Sequence, residues 1–239
     1  MTPEVLAALQ AAKQAKRPVA LLTRLSDGAQ SLWPEAAVPP ALAEAAATAL
    51  REDAAGNVTL DGDSWFVHPH NPALRLIVVG AVHIAQALVP MAQTLGFAVT
   101  VVDPRRAWAT AERFPGITLV HEWSDDAVAA LVPDSRTAVV TLTHDPKLDD
   151  PGLDVALKSD CFYVGALGSR RTHAKRVARL VEMGHAEAAI GRIHAPVGLN
   201  IEAVTAPEIA LSILAEVVAA RRGAALARRQ PAAASVAAA

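Results

Sequence analysis

The sequence predicts an α/β protein in which a Rossmann-like, doubly wound parallel sheet is preceded by a small α+β domain. Three observations predict it. From Leu74 onward, short uninterrupted apolar runs alternate with helical patterns, and such runs mark parallel strands buried on both faces. Upstream of that point, the apolar runs flank Asp-Gly pairs, the turn chemistry of hairpins. Between the two regimes, His68-Pro69-His70-Asn71-Pro72 breaks both patterns. The expected organisation is a small domain over residues 1–73, a Rossmann-like domain over 74–223 and a disordered Ala- and Arg-rich tail over 224–239.

In the first region a short helix from Pro3 to Lys16 leads into Val19-Ala20-Leu21-Leu22, which reads as a strand. Asp27-Gly28 is a turn, an Ala-rich helix follows Pro39-Pro40, and residues 57–67 form a hairpin around Asp61-Gly62. In the second region Leu76-Ile77-Val78-Val79 is the first strand, and a helix from about His83 to Leu95 stops at Gly96, a suitable C′ residue. Ala98-Val99-Thr100-Val101-Val102 is the second strand and Ile117-Thr118-Leu119-Val120 the third, followed by a helix over about 125–131. Thr137-Ala138-Val139-Val140-Thr141-Leu142 is the fourth strand. Asp150-Pro151 is expected to open the next helix, with Asp as N-cap and Pro at the first helical position. Cys161-Phe162-Tyr163-Val164 reads as the fifth strand, and a basic helix starts at Ser169. The last helix opens at Thr205-Ala206-Pro207-Glu208, which has capping-box spacing. Its apolar stripe is Ala210, Ile213, Leu214, Val217 and Val218, with Glu208, Ser212 and Glu216 expected outside.

Composition narrows the function classes. Of 239 residues, 52% are hydrophobic and 19% charged, which excludes a wholly disordered chain. A formal net charge of -2 argues against a dedicated nucleic-acid binder. One cysteine excludes a disulfide framework or a multi-thiolate metal site and fits a reducing compartment. No apolar run approaches the roughly 20 residues of a membrane span. Lys13, Lys16 and Arg17 follow an amphipathic stretch, the wrong order for a secretory signal. A soluble cytoplasmic protein with neither nucleic-acid nor membrane partners is expected.

Gly80-Ala81-Val82-His83-Ile84-Ala85 occupies the place of a dinucleotide fingerprint, and Asp103 closes the second strand where an acid would meet a ribose. Val82 stands where the second glycine would let a pyrophosphate approach, so a vestigial loop on a Rossmann-like scaffold competes with NAD(P) binding. Where strand order reverses, this loop should meet Thr143-His144-Asp145 and Gly165-Ala166-Leu167-Gly168-Ser169. Arg170 and Arg171 stand in the first turn of the basic helix, where cations oppose the dipole unless an anion is bound. Lys175, Arg176 and Arg179 are expected to point outward and Ala174, Val177, Leu180 and Val181 inward. Either a solvated basic helix or a phosphate clamp fits.

Three ordered segments carry a family resemblance: Thr143-His144-Asp145-Pro146-Lys147-Leu148-Asp149, Tyr163-Val164-Gly165-Ala166-Leu167-Gly168-Ser169-Arg170-Arg171, and Arg192-Ile193-His194-Ala195-Pro196-Val197-Gly198-Leu199-Asn200-Ile201. Together they resemble the motif series of the XdhC/CoxI family, xanthine dehydrogenase accessory proteins, over roughly residues 74–222. The resemblance implies a chaperone that binds molybdenum cofactor (a molybdopterin) as cargo. It also implies support for sulfuration by a cysteine desulfurase partner, delivery to an apo xanthine dehydrogenase-type enzyme, and a homodimer. The family's Gly-Ala-Gly-His loop is Gly80-Ala81-Val82-His83 here, and no Gly-Gly-Cys motif occurs between Met1 and Leu74.

The cofactor-binding candidates are Gly80, His83, Asp103, Thr143, His144, Asp145, Gly165, Gly168, Ser169, Arg170, Arg171 and His194. Ser169, Arg170 and Arg171 would clamp the anionic tail. His83, His144, Asp145 and His194 would lie near the metal end or the pterin. These four lie in separated segments without a short ligand spacing, so no separate metal site is expected. Cys161 reads as a small buried hydrophobe, and Trp108 and Trp123 as packing residues. No catalytic constellation is present. The alternatives are an NAD(P)-dependent oxidoreductase and a docking protein without ligand.

Overall fold

The structure, a computed structural model, describes residues 1–224. The tail expected over 224–239 lies outside the described residues apart from Ala224. The chain divides into two compact units, Met1–Pro72 and Ala73–Ala239.

The first unit runs α1 (Pro3–Gln14), β1 (Val19–Arg24), β2 (Gln30–Trp33), α2 (Pro40–Glu52), β3 (Gly56–Leu60) and β4 (Asp63–His70). Its antiparallel sheet has the order β2-β1-β4-β3. The β3–β4 turn has positive φ at both Asp61 (51°) and Gly62 (86°), as a two-residue primed turn requires. The apolar run at the start of β1 is covered on both faces. Ala20 and Leu22 pack with Leu42 and Ala46 of α2, while Val19 and Leu21 pack with Leu9 and Ala12 of α1. The expected break after Val67 comes later, because β4 pairs with β1 as far as Pro69 and His70. Pairing with β3 ends at Val67, so one edge of β4 is free where Pro69 has no N–H to give. β2 had no clear signal of its own in the sequence.

The second unit runs β5 (Arg75–Val79), α3 (His83–Thr94), β6 (Ala98–Val102), β7 (Thr118–Val120), α4 (Ser124–Ala130), β8 (Thr137–Thr141), α5 (Pro146–Leu157), β9 (Tyr163–Ala166), α6 (Arg170–Glu182), α7 (Glu187–Ile190), β10 (Ile193–His194) and α8 (Ala206–Arg221). All its strands pair in parallel, in the order β10-β9-β8-β5-β6-β7, so the order reverses between β5 and β8. This is the Rossmann-like doubly wound sheet, with an antiparallel sheet at the amino terminus. Alternate residues of β5 enter different cores. Leu76 and Val78 join Leu88 of α3 and Ile213 of α8, whereas Ile77 and Val79 join Val128 of α4 and Leu153 of α5. Each such side chain contributes about 1.5–3 kcal/mol on burial.

Two boundaries differ from the sequence reading. α5 opens at Pro146 with Asp145 as N-cap, its carboxylate accepting from the Lys147 N–H at 3.0 Å, and Pro151 lies inside the helix. Both Asp-Pro pairs carry the same local signal. The earlier one prevails because β8 ends at Thr141 and Asp149 must stand within the helix to hold the intervening loop. Pro151 then forfeits one bond to the preceding turn. β9 starts at Tyr163, so Cys161 precedes the strand. Its thiol lies 3.3 Å from the Ala156 carbonyl and belongs to the turn that closes α5. No helix among the described residues is long and apolar enough to cross a membrane.

Candidate functional site

The reversal point brings together the expected loops. Gly80 has φ 109°, and a Cβ there would stand 2.5 Å from Thr143 Cγ2, so glycine is required twice over. Val82 is extended (φ -89°, ψ 176°), so this position never needed positive φ, and its side chain packs on the α3–α8 core. His83 is exposed at the first position of α3.

The crevice is closed by the protein's own groups. Buried Asp103 accepts from the Ala81 N–H at 2.8 Å and from Arg105 through its backbone N–H and its guanidinium. Burial alone would raise this carboxyl, but these hydrogen bonds hold it below the ordinary value. Arg113 donates to the Ala81 carbonyl at 2.9 Å. The two backbone groups of Ala81 are thereby used internally. Arg105 and Arg113 lie over the ring of Trp108 at 4.9 and 5.6 Å, which gives that indole a packing role. Trp123 is exposed ahead of α4.

Asp149 organises the second loop. It accepts from the Thr143 N–H and hydroxyl and from the His144 N–H, and His144 stands at φ 62°. Behind it lies Arg176, 1% exposed, donating to Leu167 O at 3.0 Å and reaching Asp149 at 3.5 Å. Arg176 also lies near Asp150, which pairs with Arg179. Burial pushes the Asp149 carboxyl up despite its hydrogen bonds, and lowers Arg176 despite both carboxylates. The outward reading of Arg176 is thus corrected. Arg176 and Leu180 form the inner face of α6, while Ala174 and Val181 are exposed. The guanidinium is drawn inward because α5 sets two acids against it.

Ser169 caps α6, accepting from the Thr172 N–H at 3.1 Å, and Gly168 packs on Thr172 with φ 142°. Arg170 and Arg171 are exposed in the first turn.

An open cleft lies elsewhere along the same sheet edge. It measures about 540 Å³ and is lined by Leu167 and Arg170, residues 193–200, the loop before α8, and Ser212 and Glu216 of α8. Glu216 is its organiser. One carboxylate oxygen accepts from the Tyr163 hydroxyl at 2.6 Å and the Gly198 N–H at 2.8 Å. The other lies 3.2 Å from His194 Nδ1. The His194 ring stacks on Tyr163 at 4.5 Å. Burial opposes the charge on Glu216, but hydrogen bonds from His194, Tyr163 and Gly198 outweigh it and hold the carboxyl below its ordinary value. Burial and the Glu216 charge push the Tyr163 hydroxyl well above its usual range.

The sequence expectation that Ser212 and Glu216 face outward is also corrected. Leu199 N–H donates to the Ser212 carbonyl at 3.1 Å, and a Cβ at Gly198 would meet Ser212 Oγ at 2.4 Å. α8 is therefore packed on this side as well as against α3, and Val218 of the expected stripe is left 38% exposed.

Of the twelve candidates, only Arg170 and His194 line the cleft. Gly80, Thr143, His144 and Asp145 gather at the reversal point. Gly165 lies in β9, where a Cβ would strike Val197 and the Tyr163 ring. Glu216, Tyr163, Asp149 and Arg176 were absent from the candidate set. The adjacent acids Asp149-Asp150 and the placement of Glu216 beside Val217 were the available signals. No group of three or more His, Cys, Asp or Glu that could hold a metal ion occurs among the described residues.

A family model described as the XdhC Rossmann domain matches residues 76–217. The chain is 36% identical over 170 residues to the uncharacterized protein YqeB of Escherichia coli, covering 70% of this chain and 31% of that protein. It is 35% identical over 150 residues to the Escherichia coli molybdenum cofactor insertion chaperone PaoD, covering 63% and 41%. It is 30% identical over 160 residues to a probable xanthine dehydrogenase subunit from Bacillus subtilis, covering 66% and 46%. The chain thus spans less than half the length of each of these curated relatives. A crystal structure described as a xanthine dehydrogenase from Bacillus halodurans has the same fold, with TM-score 0.68 and 24% identity over 92% of this chain and 66% of that one.

Proposed function

Because the chain belongs to the XdhC family, whose Rossmann domain it carries over residues 76–217, we propose that it is an accessory protein holding molybdenum cofactor as cargo. The observation that carries this is the cleft of about 540 Å³ where Arg170 and His194, from two of the three motif segments, converge. The naming of one relative as a molybdenum cofactor insertion chaperone supports it.

In this reading Arg170, with Arg171 and Ser169 beside it at the start of α6, meets the anionic tail of the cargo. Glu216 fixes the imidazole. Facing a carboxylate, His194 Nδ1 donates to Glu216, which fixes a ring that lines the cleft. His194 is therefore held ready to meet a polar group of the pterin or of the metal end. Gly80, His83, Thr143, His144 and Asp145 stand outside the lining of this cleft. The client is a xanthine dehydrogenase-type enzyme in its apo form, sulfuration is done by a cysteine desulfurase partner, and the working unit is a cytoplasmic homodimer. These finer points rest on the family resemblance.

The test is to purify the protein from cells that make the cofactor and measure molybdenum and released oxidised pterin per chain. Near-stoichiometric pterin, lost in Arg170→Ala/Arg171→Ala, is expected. No pterin, together with NAD(P) binding by titration, would overturn the proposal in favour of an oxidoreductase. Failure to bind either would leave a docking protein as the better account.

A further inference from the structure

The two faces of the parallel sheet are covered by helices of different chemistry. On one side α4, α5 and α6 carry solvated charges, with Asp125, Asp126, Lys147, Arg171 and Lys175 exposed. On the other side α3 and α8 pack against each other and, through Leu88, Ile213 and Val217, against the sheet. α3 holds no Asp, Glu, Lys or Arg in its 12 residues.

The outer faces of these two helices continue that pattern. Ala87, Pro90 and Thr94 follow at i, i+3 and i+7 on α3, and Pro90 and Thr94 are exposed. The Thr94 hydroxyl donates to the Pro90 carbonyl at 2.9 Å, so this polar group is satisfied within its own helix. Leu211, Ala215 and Val218 follow at i, i+4 and i+7 on α8, with Leu211 54% and Val218 38% exposed. Charge returns only at the ends of the α8 stripe, as exposed Glu208 in the first turn and exposed Arg222 at the C-cap. The capping box occupies one carboxylate oxygen of Glu208. An exposed apolar stripe on a face depleted of charge has the make-up of an interface core with a charged rim.

We propose that a second copy of the chain docks on this face, α8 against α8, antiparallel about a two-fold axis near Ala215. The charges select both the occupant and its direction. In that arrangement the Glu208 end of each α8 meets the Arg222 end of the other, and the two helix dipoles run opposite ways. A parallel arrangement would set like charges together. The small side chain of Ala215 lets the helices approach, Leu211 and Val218 of each copy cover those of the other, and α3 flanks the contact. A partner with a strongly charged surface would find no counter-charge at the centre of this face. Ser212 and Glu216 line the cleft on the other side of α8, which a copy seated on the stripe leaves uncovered. This is the surface of the homodimer in the proposed function; it deepens that part of the reading alone and stands apart from the cargo.

Sedimentation velocity of the full chain at micromolar concentration tests this surface, and wild type is expected to sediment as a dimer. Leu211→Glu/Val218→Glu sets like charges at the centre and should weaken self-association about a hundredfold. Circular dichroism should be unchanged, because both positions are exposed. Ala215→Cys, oxidised with copper–phenanthroline, should cross-link two chains near the axis, since the native Cys161 is buried. Ala174→Cys, exposed on α6 across the sheet, should stay uncross-linked under the same conditions. A monomeric wild type would overturn the proposal and leave the face to the client enzyme. A dimer undiminished in the double variant, or cross-linking as efficient at position 174 as at position 215, would overturn it too. Pterin per chain, measured on the same samples, reports on the cargo separately.

Discussion

Two stretches of the same sheet edge use their polar residues in opposite ways. At the reversal between β5 and β8, Asp103, Arg105, Asp149 and Arg176 are spent on one another and on the backbone of residues 81, 143, 144 and 167. Past β9 and β10, Glu216 holds His194 and Gly198 in place, while His194 and Arg170 remain on the wall of an open cleft. Doubly wound sheets generally bind ligands at the reversal point. Here that point is braced from within, and the open space has moved two strands along, to where α8 returns over the sheet. A fold rule locates the edge that is available. Which part of the edge is vacant depends on which side chains the protein uses to satisfy itself.

Four substitutions test that contrast, in decreasing order of expected effect on stability. Arg176→Met removes a buried cation and leaves the buried Asp149 without its counter-charge, while Asp150 keeps Arg179. The expected loss is about 3–5 kcal/mol in urea unfolding. A loss under about 1 kcal/mol would mean that the crevice is not self-braced. Gly80→Ala combines a φ of 109° with a Cβ clash against Thr143, and about 1–3 kcal/mol is expected by the same assay.

Glu216→Gln leaves the Tyr163, Gly198 and His194 contacts to a neutral amide, with a loss of about 1–3 kcal/mol at neutral pH. Its pH dependence is diagnostic. The folded carboxyl lies below its ordinary value, so its contribution is present above the unfolded value, about 4.3, and is lost as pH falls through the folded one. Wild type should lose stability over that acid window more steeply than the variant. Coincident slopes would remove Glu216 from the account. Arg170→Ala, exposed on the cleft wall, should change stability by less than about 0.5 kcal/mol while cofactor retention falls. Lost stability with unchanged retention would reverse the two roles assigned along this edge.

Much of the architecture could be read from residue patterns. The continuous apolar runs of β5, β6 and β8, the capping box at Thr205 and Glu208, and the Asp61-Gly62 turn are local signals, and local physics decided them. The site was legible only in part. Of the cleft lining, Arg170 and His194 could be named from motif segments, but the residues that position them could not. Arg176 sits on a basic helix, and an arginine is by default solvated. Its burial follows from two acids on a different helix, which a helical wheel does not show. Glu216 was misread for the same reason. A charge on an amphipathic helix looks external until a second packed surface, here Gly198 against Ser212, turns it inward. The choice between Asp145-Pro146 and Asp150-Pro151 also needed a tertiary partner, since both pairs satisfy the same capping rule.

Tyr163 is the single tyrosine of the chain. Sealed against ionisation and clamped between His194 and Glu216, it is a built-in optical gauge of the cleft. Tyrosinate absorbance should stay silent in the folded protein throughout the mildly alkaline range and rise only when this packing opens. An occupant that displaces His194 would announce itself through one chromophore, with no label attached.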